Sequence, residues 1–193
     1  MKTPFFAIAL LLSIGCTARA QDITAETDAP NSATVFSPKT ADRVRSQNAS
    51  LVYWRVFPVL VQSLDKNNKH AALKVEIHSP LDVNRKATLS INVDGRLYSA
   101  SPVWTDASTS LSERTMVALI DLHDEPGSLS LRVMASASAI SVTEMHYSEQ
   151  ITVRLVGQRL DVFKTMYAKY TELSPRQGPA STDSEPTSAR GAP

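Results

Sequence analysis

Residues 140–170 read ISVTEMHYSEQITVRLVGQRLDVFKTMYAKY, and two hydrophobic periods meet in them. Ile151, Val153 and Leu155 alternate with Thr152 and Arg154, the period-two pattern of a half-buried strand. Beyond Gly157 the period changes: Leu160, Phe163, Tyr167 and Tyr170 recur at helical spacing with Met166 beside them, while Asp161, Lys164 and Lys169 fall mainly elsewhere. The stretch therefore predicts a strand over Ile140–Met145, a polar reversal at His146-Tyr147-Ser148-Glu149, a second strand over Ile151–Val156 and a helix over Leu160–Tyr170. A hairpin joined to a helix by so few residues gives that helix a sheet to pack on.

Upstream, the same alternation returns repeatedly. Leu51–Leu64 is rich in β-branched and aromatic residues and predicts a strand, interrupted by Pro58; it is an edge strand, or two strands meeting at a bend. Asp65–Lys69 is a polar turn. Leu73, Val75 and Ile77 then alternate with Lys74, Glu76 and His78. Leu89, Ile91 and Val93 lead into Asp94-Gly95, followed by Leu97 and Tyr98; this dipeptide favours a type I′ turn, because both central residues need positive φ. Ser99–Arg114 reads as a long polar loop, or as a short strand around Trp104 between two loops. Met116–Leu122 is a nearly continuous apolar strand, closed by the breakers Pro126-Gly127. Ser128–Ser138 fits a strand or a short helix.

Short strands with frequent turn signals define the class. The expectation is a mainly β, single antiparallel β-sandwich-like domain of about seven or eight strands with one C-terminal α-helix, spanning residues 50–173. Residues 21–49 are poor in large apolar side chains and read as a flexible linker, with Thr34-Val35-Phe36 the place where a short edge strand could add. Residues 174–193, almost wholly Pro, Gly, Ser, Thr, Ala and charges, read as a disordered tail.

The first 20 residues carry an address. Lys2 precedes an uncharged apolar run, Phe5–Ile14, followed by small residues: the layout of a secretory signal peptide. At about ten residues the run is half the length needed to span a bilayer. Ala18-Arg19-Ala20 before Gln21 suits type I cleavage. Ser13-Ile14-Gly15-Cys16 resembles the lipobox of bacterial lipoproteins, although Ser13 stands where a leucine is usual; on that resemblance Cys16 would be lipidated and the protein held to a membrane by its acyl chains. The expected location is periplasmic or envelope-associated.

Cys16 is the single cysteine, so no disulfide can form within one chain and burial must hold the core. Net charge is +1; without residues 1–20, which contain Lys2 and Arg19, it is −1. Such a near-neutral chain has no basic field for nucleic acid.

No phosphate-binding glycine loop and no Gly-x-Ser-x-Gly elbow occurs. No cofactor is expected. The metal-ligating candidates are His123 and Asp124 in one predicted turn and His146 and Glu149 in another, an imidazole and carboxylate set that zinc accepts if the two turns meet. Trp104, Tyr98 and Trp54 are the partner-binding candidates, since an exposed aromatic offers a large apolar area at low entropic cost. Tyr53 and Trp54, adjacent on a strand, point to opposite faces. The function expected is an exported non-enzymatic protein that binds another envelope protein or a cell-wall polymer. A metal-dependent hydrolase acting on envelope material through His123, Asp124, His146 and Glu149 is the alternative, and a small-ligand carrier with a pocket between sheet and helix is a third.

Overall fold

A computed structural model describes residues 22–49, 51–63, 68–80, 87–109, 114–146 and 149–173. The expected signal peptide, Cys16 and the tail from 174 onward lie outside the described residues. In chain order the elements are β1 (Ile23–Asp28), β2 (Ala33–Pro38), β3 (Val44–Arg45), β4 (Tyr53–Ser63), β5 (Lys69–Ser79), β6 (Leu89–Val93), β7 (Arg96–Ala100), β8 (Val103–Thr109) and β9 (Arg114–Leu122). There follow α1 (Leu131–Ala135), β10 (Ala139–His146), β11 (Glu149–Val156), a 3-10 turn at Gly157–Leu160 and α2 (Asp161–Glu172). The protein is mainly β: two antiparallel sheets and a C-terminal helix, as the alternating patterns require.

The larger sheet runs β1-β2-β4-β5-β9-β8, with β3 also paired to β4; the smaller runs β11-β10-β6-β7. Inward-facing residues from both sheets form one core. Trp54, Leu60, Leu73, Ile77 and Ala118 come from the larger sheet, Leu89, Ile91, Ile140, Val142 and Val153 from the smaller. The helix completes it, with Phe163 and Met166 fully buried and Tyr167 and Tyr170 packed at its margin.

Asp94 (φ 48°) and Gly95 (φ 91°) both have the positive φ that the β6–β7 turn demands. The Asp94 carboxylate also accepts hydrogen bonds from Ser138 N at 3.0 Å, Ser138 Oγ at 2.7 Å and Ala139 N at 2.8 Å. The turn thereby fixes the start of β10. These donors, Ser138 first, hold the Asp94 carboxyl below its ordinary pKa. Within Ser128–Ser138 only Leu131–Ala135 is helical, and no strand forms there: Ser130 caps α1 by accepting from Val133 N at 3.2 Å, a local bond that satisfies an otherwise open donor of the first turn.

The described residues hold eleven strands, and the three beyond the expected count all come from the stretch expected to be a linker. β1 and β2 form a hairpin in register from Ile23↔Pro38 to Asp28↔Ala33, and β2 pairs with β4 from Ala33↔Ser63 to Phe36↔Leu60. Scarcity of apolar residues misleads here because a ladder draws on backbone N–H and C=O groups, which every non-proline residue has. Ile23 and Phe36 supply the packing. β3 pairs with β4 only at Val44↔Trp54 and Arg45↔Tyr53, so Pro58 falls in the gap between β2 and β3, the kind of position where a strand tolerates an absent N–H. The Arg55 side chain fastens that gap, donating from Nε to Ala41 O at 3.1 Å.

On the outer face of the larger sheet, Lys74, Glu76 and His78 do more than meet solvent. Glu76 is 8% exposed. It lies 2.9 Å from Arg55 Nη1 and 3.0 Å from Lys74 Nζ, and His78 Nδ1 is 3.0 Å from Thr115 Oγ1. Burial pushes the Glu76 carboxyl up, and Lys74 and Arg55 together outweigh it, so the net position is below the ordinary value of 4.5.

Two outcomes follow from this packing. Phe163→Ala should lower unfolding free energy in urea by about 3–5 kcal/mol, the range for a buried aromatic truncated in a core. Because the folded-state pKa of Glu76 is depressed, its contribution is present above the unfolded value of 4.5 and is lost as pH falls through the lower folded value. Thermal melts on the acid side of 4.5 should therefore drop less steeply in Glu76→Gln than in the parent.

Candidate functional site

The two long sides of the sandwich differ. On one, the chain steps from sheet to sheet: after β3, Gln47 N donates to Thr152 O at 2.9 Å, Ser46 Oγ to the same oxygen at 3.3 Å, and Asn48 Nδ2 to Gln150 O at 2.9 Å. Residues 44–48 thus close the gap between β4 and β11. On the other side stand β7 and β8, the last strands of their sheets among the described residues, joined by Ser101-Pro102. β8 pairs with β9 only as far as Val103↔Leu119. The end of β9 beyond Leu119 is left uncovered there, and an open cleft of about 450 Å³ occupies the notch.

Tyr98, Val103, Leu119 and Leu129 give the cleft apolar walls, and Asp121 and His123 its titratable groups. Val103 is 75% and Leu119 50% exposed, unusual for aliphatic side chains in a ladder. The Tyr98 ring carries the Arg96 guanidinium 5.1 Å from its centroid, and Arg96 Nη2 donates to Gly127 O at 2.8 Å. His123 N donates to Leu129 O at 2.9 Å, so the loop after β9 is tied across the cleft's end.

The aromatic candidates separate by burial. Trp54 is 0% exposed and is a core residue; the alternation Trp54, Val56 with Tyr53 opposite places it inward, so it leaves the partner-binding set. Trp104 lies on β8 rather than in a loop, half-buried opposite Ala118, with Nε1 donating to Ala87 O at 3.1 Å. Its neighbour Val103 is the exposed one. Tyr98 lines the cleft.

The metal candidates do not assemble. Contacts of Gly127 with Arg96, and of Asp94 with Ser138 and Ala139, place the 123–129 loop at the Ala139 end of β10. His146 and Glu149 pair at the other end of that strand. Seven strand steps of about 3.3 Å separate the ends by ~23 Å, far more than one ion bridges at about 2 Å per ligand. The side chains of His146 and Glu149 lie outside the described residues; among those described, no group of three or more metal-ligating side chains occurs. Asp124 serves α2 instead. Its Oδ2 accepts from Tyr170 Oη at 2.9 Å, while Lys69 Nζ donates to Tyr170 O at 2.5 Å and sits 3.8 Å from the Tyr170 ring centroid. Between sheet and helix, where a carrier would hold its ligand, the gap beside Val56, Leu155 and Val162 measures only about 10 Å³, room for a single water.

Sequence reasoning missed Leu119, Asp121 and Leu129 as cleft residues. Met116–Leu122 looked buried on both faces, whereas Leu119 and Asp121 lie on an exposed outer face and alternate with buried Ala118, Ile120 and Leu122. No helix among the described residues is long and apolar enough to cross a membrane.

The Tyr170 contact is open to a direct check. Burial first, then the bond to Asp124, raises the Tyr170 phenol to about 12 from 10.0. A folded pKa raised above the unfolded one means that its contribution is full below the unfolded value and is lost as pH rises through the folded one. Ultraviolet titration should show Tyr170 ionising near 12, and Asp124→Asn should bring that step back toward 10.0; an unchanged step would show that Asp124 does not hold the hydroxyl.

No family model matches the chain and no curated protein is similar to it, which leaves the residues and their geometry to carry the functional reading.

Proposed function

We propose that the protein is an exported, non-enzymatic binding protein of the cell envelope, and that it engages another protein at the cleft between β7 and β8. The observation that carries this reading is the exposure of Val103 and Leu119 beside an uncovered strand end, on the β7–β8 side of the sandwich. Apolar side chains left in water next to open backbone groups gain free energy when a partner covers both, at about 25 cal/mol for each Å² of apolar surface removed from water. Strand addition at a sheet edge is a recurrent mode of such recognition. Export rests on the pattern of residues 1–20. Wide separation of His123 from His146 counts against the hydrolase alternative in its four-residue form, and the narrow gap under α2 against a carrier.

The test uses the processed protein as bait in an envelope extract, with its intact mass reporting whether Gln21 or an acylated Cys16 begins it. A partner identified by mass spectrometry should be retained by the parent and by Arg154→Ala, on the far face of the smaller sheet, and lost at least tenfold by the Val103→Ser, Leu119→Ser double variant. Equal retention by all three would refute the cleft as the binding site.

A further inference from the structure

The cleft is uneven in charge. Asp121 is exposed at the end of β9, with no hydrogen-bond or ion-pair partner among the described residues, and no lysine or arginine lines the cleft. The Tyr98 hydroxyl, buried at its wall, has no hydrogen-bond partner among the described residues either. Val103 and Leu119 stand beside Asp121 on the outer face of the larger sheet, since positions 119 and 121 of β9 share a face and Val103 pairs with Leu119. Exposed aliphatic surface beside an unengaged carboxylate suits one type of side chain: a long methylene stem with a cationic head.

We propose that the cleft receives a lysine or arginine side chain from an extended segment of the partner protein. This rests on the binding role assigned to the cleft above. The stem lies against the exposed Val103 and Leu119, and the head group pairs with Asp121. The uncovered end of β9 offers backbone groups to that same segment. A volume of about 450 Å³ holds one long side chain and the adjoining backbone, and not a folded domain. An acidic or purely apolar segment fits less well: the first meets Asp121 with like charge, and the second strips water from Asp121 without replacing its partner.

The probe is a blocked synthetic pentapeptide with lysine at its centre and valine and threonine on either side, compared with the same peptide carrying norleucine or glutamate at the centre. Binding is read from amide shifts of the 15N-labelled processed protein. The lysine peptide should shift amides of residues 99–103 and 119–123, bind at least fivefold more tightly than the norleucine peptide, and weaken as salt is raised. In Asp121→Asn, whose melting temperature should match the parent's, it should fall to the norleucine level. Equal binding of the lysine and norleucine peptides, undiminished lysine binding in Asp121→Asn, shifts confined to other residues, or no shift at millimolar peptide would each overturn the proposal. The two readings fail separately: an envelope partner lost by the Val103→Ser, Leu119→Ser variant but kept by Asp121→Asn leaves the cleft as the binding site and removes the cationic side chain, whereas a partner kept by both removes the site itself.

Discussion

The ladder between β4 and β5 is the constraint on which the rest of the structure depends. It runs in one register from Tyr53↔His78 to Gln62↔Lys69, and its alternation sends Trp54, Val56, Leu73, Val75 and Ile77 to the core. A slip of one residue would exchange the two faces, exposing Trp54 and burying Arg55 and Lys74. The outer-face cluster of Arg55, Lys74 and Glu76 forms only in this register, because Arg55 and Glu76 are direct cross-strand partners. β2, β3 and β9 then take their positions from the two strands that the ladder sets.

The two long sides of the sandwich are closed differently. Residues 44–48 pass directly from the edge of β4 to the edge of β11, so one side is sealed by backbone bonds. On the other, β7 and β8 are joined by Ser101-Pro102, and Pro102 has no N–H with which to extend the pairing. The ladder of β8 on β9 accordingly begins at Val103, and β9 outruns it. A register shift between Asp106 and Ser108 interrupts β8 farther along, a feature that blunts an edge against indiscriminate strand addition. The cleft is thus a consequence of where pairing stops: it opens beside Val103↔Leu119, the last pair of the ladder.

Much of the fold was legible because it is written in side-chain periods. The hairpin of β10 and β11, the Asp94-Gly95 turn and the buried stripe Leu160, Phe163 and Met166 follow from alternation, from the need for positive φ, and from helical spacing. Of the N-terminal hairpin only the second strand, at Thr34-Val35-Phe36, was legible, since Thr24 to Glu26 has no alternation to read and gains its place from ladder bonds to β2. Trp104 was legible only as one of two readings, a long loop or a short strand, and the strand is what forms. Polar neighbours suggested a loop, yet the strand turns those neighbours to one face and the indole to the other, where Ala87 O receives its N–H.

For the candidate site the division is sharper. Tyr98 and His123 stood out as residue types, but nothing in the chain order says that an aromatic of β7, an aliphatic of β8 and an acid of β9 border one cleft. Their meeting depends on sheet order and on the residue at which one strand stops covering the next. By itself, the sequence determined most elements from Tyr53 onward, the inward faces of the alternating strands and the reliance on burial in a chain with one cysteine, because these are local or compositional properties. Only the tertiary structure decided that residues 23–45 belong to the sheet, that His123 and His146 lie apart, and that a cleft opens beside Val103 and Leu119, because strand partners are chosen by backbone groups that are alike at nearly every position.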